Sequence, residues 1–165
     1  MTVRPILQWP DKRLRTAADP VTEITDEIRQ IWQDMVDTMD AMPGVGLGAP
    51  QIGVMLRLAV VDATEDRSRR ILLANPEILQ SGAEMRSHPE GSPCLPGVTS
   101  TLERPNEVTV RFLNDKGMID RRAFEGLEST SVQHQIDHLN GKMYFDRLSK
   151  MKRDMLLRKA KKARG

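Results

Sequence analysis

His134 and His138 stand four residues apart in the run His134-Gln135-Ile136-Asp137-His138. On an α-helix that interval stacks two side chains on one face, where both imidazoles can reach one metal ion. The spacing predicts a helix over about residues 127–140, stopped by Gly141 and packed against strands. In hydrolases built this way a Glu follows the first His and serves as general base, and here that position is Gln135. A bare pair of helical histidines is as often solvated or hydrogen-bonded as ligating, so the surrounding sequence has to decide.

At 165 residues the chain suits one domain and is short for two. Apolar runs such as Leu58–Val61 are too brief for a transmembrane helix, and Met1–Pro5 does not resemble a secretory signal. Cys94 is the single cysteine, which rules out an intrachain disulfide. A cytoplasmic protein with no membrane partner is the expectation. Charge is unevenly placed: from Arg147 to Gly165, nine Lys or Arg face one acid, which leaves +8. Residues 1–146 hold 16 basic and 22 acidic residues, a balance of −6. This divides the chain into a domain over 1–146 and a basic helix over 147–165, a candidate for a polyanion such as ribosomal RNA. A solvated helix is an equal reading of the same charges.

Thr25 reads as an N-cap, with Ile28, Ile31, Trp32, Met35 and Met39 at helical spacing until Pro43-Gly44. Residues 55–62 and 71–75 read as strands, and 108–112 with 118–124 as a hairpin around Asn114-Asp115-Lys116-Gly117. Leu148, Met151, Met155 and Leu156 form the expected apolar face of the last helix. His88 reads as part of a surface loop, Glu90 and Arg104 as a possible pair, and Cys94 as a small buried residue. The order of helix, strands and helices argues for α+β.

Three motifs then fall in sequence: Gly44-Val45-Gly46-Leu47-Gly48-Ala49-Pro50-Gln51, Glu90-Gly91-Ser92-Pro93-Cys94-Leu95-Pro96-Gly97, and Gln133-His134-Gln135-Ile136-Asp137-His138. In order and spacing they resemble those of the peptide deformylases, which remove the formyl group from nascent bacterial chains. The resemblance implies an α+β fold with antiparallel sheets packed around a central helix carrying the histidines, plus a C-terminal helix. It implies a divalent metal, Fe²⁺ or Zn²⁺, on His134, His138 and a cysteine, and an N-formylmethionyl peptide as substrate. Gln51 matches the oxyanion donor and Gly46 a backbone position against the peptide. Val45, Leu127, Thr130 and Ser131 match the substrate pocket, and Gln135 the position of the catalytic Glu.

Departures from the family pattern fall on the chemistry. Ungapped, the second motif puts Ser92 where the metal-binding cysteine belongs, and a hydroxyl is a poorer ligand than a thiolate. Pro93 follows and has no N–H for the oxyanion. Gln135 cannot take up the proton of an attacking water. Thr130 and Ser131 make the substrate pocket more polar. A register shifted by two would instead bring Cys94 to the metal, since residues 92 and 94 of an extended segment share a side. One missing oxyanion donor costs ~10²–10³ in rate and a missing base ~10²–10⁴. The sequence therefore predicts a degenerate deformylase site, with an empty or weakly held metal and little turnover. An active deformylase or related amidase, and a ribosome- or nascent-peptide-binding module, are the alternatives.

Overall fold

Thr25 starts the first helix, α1 (Asp26–Ala41), by accepting a hydrogen bond from the Ile28 amide at 3.2 Å, with Asp26 and Glu27 at the positive end of the helix dipole. The computed structural model describes residues 1–164. Trp32, Met35 and Met39 are fully buried along one face of α1 and pack with Leu47, Leu58 and Val60.

The strands β1 (Gly46–Gly48), β2 (Leu58–Val61), β3 (Ile71–Ser81), β6 (Glu107–Leu113) and β7 (Ile119–Glu125) form an antiparallel sheet in the order β1-β2-β3-β6-β7. The predicted strand over 55–62 is shorter than expected, because Met55 and Arg57 bond to the Asp19 backbone instead. β3 runs beyond the expected end at Asn75; its ladder with β6 slips between Ala74 and Glu77, where Pro76 has no N–H to give. The β6–β7 hairpin turns as expected, with Gly117 at φ 76° and the Asn114 side chain accepting from Lys116 and Met118.

A second, two-stranded sheet pairs β4 (Met85–Ser92) with β5 (Leu95–Pro105). It corrects the loop expected around His88, which lies within β4 opposite Leu102. The prolines and glycines of this segment read as breakers, but a two-stranded ribbon consists of edges and tolerates them. Ser92 pairs with Leu95, so Pro93 and Cys94 form the hairpin turn and not an extended run.

Helix α2 (Gly126–Leu139) is the central element, packed against β1, β2 and β7 and buried from Ser129 to Leu139. Gly141 ends it at φ 75°, where a Cβ would lie 2.7 Å from the Thr16 carbonyl carbon, so only glycine fits. Helix α3 (Lys150–Ala163), capped by Ser149, lies on β5. Its buried residues are Leu156 and Ala160, packed with Leu95, Leu102 and Phe145. Of the apolar face expected for this helix, Leu156 is buried and Leu148 packs on the same cluster, whereas Met151 and Met155 are exposed: the side that meets β5 carries Leu156 and Ala160, one turn apart. No described helix is long and apolar enough to cross a membrane.

Candidate functional site

The middle of α2 is buried yet polar, which demands partners for each group. Ser129 and Gln133 donate to the Pro105 carbonyl at 3.3 and 3.0 Å, and Ser131 donates to the Val45 carbonyl at 2.9 Å. These bonds tie the helix to the end of β5 and to the residue that leads into β1. Asp137 takes a two-point bond from Arg147 at 2.7 and 2.8 Å and lies 3.1 Å from Arg104.

Between these anchors the two imidazoles meet, with Nε2 of His134 and Nε2 of His138 3.2 Å apart. His134 donates its Nδ1 proton to Glu90 at 2.8 Å, which leaves its Nε2 lone pair facing His138. Glu90 is gripped in turn by Arg104 at 2.6 and 2.9 Å. Burial pushes the Glu90 carboxyl up, but the bonds from His134 and Arg104 outweigh it and hold the group down to about 2. Burial, with the nearby charges of His134 and Arg104, drives His138 well below the ordinary imidazole range, so it is a neutral lone-pair donor. Its Nδ1 is buried without a partner.

Two imidazole nitrogens at this separation suit one ion bound at ~2.0–2.1 Å, since tetrahedral donors then lie ~3.3 Å apart. The carboxylate behind His134 is the usual support for a ligating imidazole. The pair therefore fits a divalent metal. A complete three-residue set is another matter: among the described residues no three His, Cys, Asp or Glu gather as a metal-binding group.

The second motif supplies the neighbouring wall. Cys94 is fully buried, and its Sγ accepts from Gln51 Nε2 at 3.5 Å. Burial pushes the thiol above its ordinary range, against the bonds from Gln51 and Ser92, so the thiolate is disfavoured. The Ser92 hydroxyl accepts from the Cys94 amide at 3.2 Å. Gln51 is fixed from both ends, its Oε1 accepting from the Gly48 amide at 2.9 Å. The N-terminal strap binds both motifs, Leu7 donating to the Gln51 carbonyl and Trp9 to the Cys94 carbonyl, each at 2.8 Å.

A cavity of about 260 Å³ opens above this floor. Gln51, His134 and Gln135 line it beside Val45, Gly46, Leu127, Thr130 and Ser131, so most residues singled out from sequence converge there. His138, Ser92 and Cys94 are buried outside its lining, whereas Pro93 and His88 face it. Gly46 is required by contact: a Cβ there would come within 2.5 Å of the Gln135 side-chain nitrogen and against Ser131. Gln135 Oε1 is buried without a partner. Sequence reasoning missed three members of the surroundings. Arg86 donates to Thr130 at 2.9 Å, Arg147 holds Asp137, and Tyr144 stacks 6.0 Å from His134. None sits in a motif, and only β4 alternation could have placed Arg86.

The family model for polypeptide deformylase matches residues 3–154. The peptide deformylase of Cellvibrio japonicus is 41% identical over 98% of this chain and 96% of its own, and peptide deformylase 1 of Pseudomonas syringae pv. tomato is 43% identical over the same shares. Among solved structures, a peptide deformylase from Legionella pneumophila superposes with a TM-score of 0.92 at 42% identity, covering 98% of this chain and 95% of that one. The Ehrlichia chaffeensis peptide deformylase in complex with actinonin gives 0.92 at 34% identity, covering 99% and 98%. With the order and spacing of the motifs, the imidazole pair and nearly the whole length in agreement, this chain belongs to the polypeptide deformylase family.

Proposed function

We propose that this chain is a metal-dependent hydrolase of the deformylase type, acting in the cytoplasm on N-formylated peptide ends. The observation that carries the reading is the pair of imidazole nitrogens 3.2 Å apart beneath a cavity of about 260 Å³. His134 and His138 would hold Fe²⁺ or Zn²⁺, with Ser92 at the third position. Glu90, bonded to both His134 and Arg104, favours that ungapped register. A bound divalent ion would polarise the formyl carbonyl and make its water more acidic. Gln51, held at Gly48 and Cys94, would give its remaining amide hydrogen to the oxyanion, and the backbone at Val45 and Gly46 would lie along the peptide. Relatives about 40% identical over nearly the full length are named peptide deformylases, which supports turnover.

A second reading, a groove that binds a formylated end and turns it over slowly, is favoured by Gln135. Its carboxamide can orient a water or a carbonyl but cannot accept a proton as a carboxylate does. Formate release from formyl-Met-Ala by the metal-supplemented protein separates the two. Rates of ~1–10³ s⁻¹ support the hydrolase. Saturable binding with formate release far below that range supports the second reading and overturns the first.

We also propose that the basic tail over 147–165, packed by its inner face on the domain over 1–146, contacts ribosomal RNA through its outer face. Exposed Lys159, Lys161 and Lys162 on the outer side of α3 support this.

A further inference from the structure

β4 alternates its side chains and turns Arg86, His88 and Glu90 toward the same side, with Arg86 reaching α2. The two cavity-lining hydroxyls on α2 differ in what they have left to offer. Ser131 spends its proton on the Val45 carbonyl. Thr130, 5% exposed, accepts from the Arg86 guanidinium at 2.9 Å, and its own O–H has no acceptor among the described residues. A hydroxyl that receives a bond from a cation is a stronger donor for it.

Charge on this wall is also unbalanced. Arg86 pairs with no carboxylate among the described residues. Glu90 is taken by Arg104 and His134, and Glu128 by Arg69. Arg86 stands behind Thr130, outside the cavity lining, while His88 lines the cavity and adds a second N–H donor. Leu127 and Met42 also line the cavity and supply apolar surface for methylene groups. A short apolar stem ending in an anionic acceptor is complementary to this combination, whereas a thioether offers Thr130 only a weak acceptor.

We infer that this end of the cavity is a carboxylate subsite, and that the formylated residue selected carries an acidic side chain, bonded by Thr130 with Arg86 behind it. The inference rests on the reading of the groove as an N-formyl-peptide site. Calorimetric titration of the full chain with formyl-Glu-Ala, formyl-Gln-Ala and formyl-Met-Ala at low ionic strength tests it without requiring turnover. The expected result is that the glutamyl peptide binds at least about tenfold tighter than either of the others, the effect of one bond to a charged group. Thr130→Val, which keeps the side-chain volume, should erase that preference, and Thr130→Ser should restore it. Equal or tighter binding of the methionyl peptide, or equal binding of the glutaminyl one, would overturn the subsite while leaving the groove reading intact. If no formylated peptide binds, the groove reading itself fails and the inference goes with it.

Discussion

Single side chains decide most of the chemistry available here. Gln135 borders the cavity with its oxygen unpartnered, at the position where a carboxylate could take a proton. Replacing Gln135→Glu is expected to raise formate release, by up to ~10²–10⁴ if proton transfer limits the rate. Adding Ser92→Cys and Pro93→Leu is expected to exceed any single change, because the three act on one transition state. Glu90 gives a pH prediction. Its carboxyl is held down to about 2 in the folded protein, against ~4.3 in an unfolded chain. The stability it contributes is fully present above the unfolded value and is lost as pH falls from about 4 toward 2. Urea titrations across that range should show this loss in the parent and less of it in Glu90→Gln, which should also be less stable at neutral pH because Arg104 loses one of its two buried carboxylate partners. The residues that meet in space were largely readable, since His134, His138, Gln51 and Gly46 each lie in a motif whose spacing has a physical reason. Arg86 was not, because nothing local distinguishes it from a solvated arginine until β4 is set beside α2.

At the level of elements, the central fact is how closely β1 approaches α2. That approach depends on Gly46, which sits against Ser131 and Gln135 without room for a methyl group. Gly46→Ala is expected to push the two elements apart, costing ~1–3 kcal/mol by overpacking and abolishing formyl-peptide binding. Thermal melts and peptide titrations check the two effects separately. Undiminished peptide binding would show that the groove does not use this contact. The long elements were legible in the sequence because their periodicity is strong. α1 starts at Thr25, and the β6–β7 hairpin turns at Gly117, as their caps and turn residues require. The β4–β5 hairpin was hidden because Pro89, Gly91, Pro93 and Pro96 interrupt every local strand signal, and its pairing comes only from contacts between distant residues. The facing side of α3 was misjudged for a related reason. Methionines at helical spacing look apolar, but the side that meets β5 is the one carrying Leu156 and the small Ala160.

The whole molecule joins a negatively charged body to a positively charged terminal helix. If that helix meets ribosomal RNA, binding should weaken steeply with salt as counterions are released. Replacing Lys159, Lys161 and Lys162 by Gln removes charge while leaving Leu156 and Ala160 in the core. It also spares Arg164, which bonds to the Trp9 carbonyl at 3.2 Å. Reduced co-sedimentation with ribosomes and an unchanged melting temperature are expected; equal binding at low and physiological salt would make the tail a solvated helix. The function of the molecule as a whole turns on whether His134 and His138 share one ion. Titrating the apoprotein with Co²⁺, whose absorption spectrum reports coordination, addresses this most directly. The expected result is one equivalent bound by the parent and none by His134→Ala or His138→Ala. Binding that is absent in the parent, or unchanged in both variants, would contradict a metal centre on this helix.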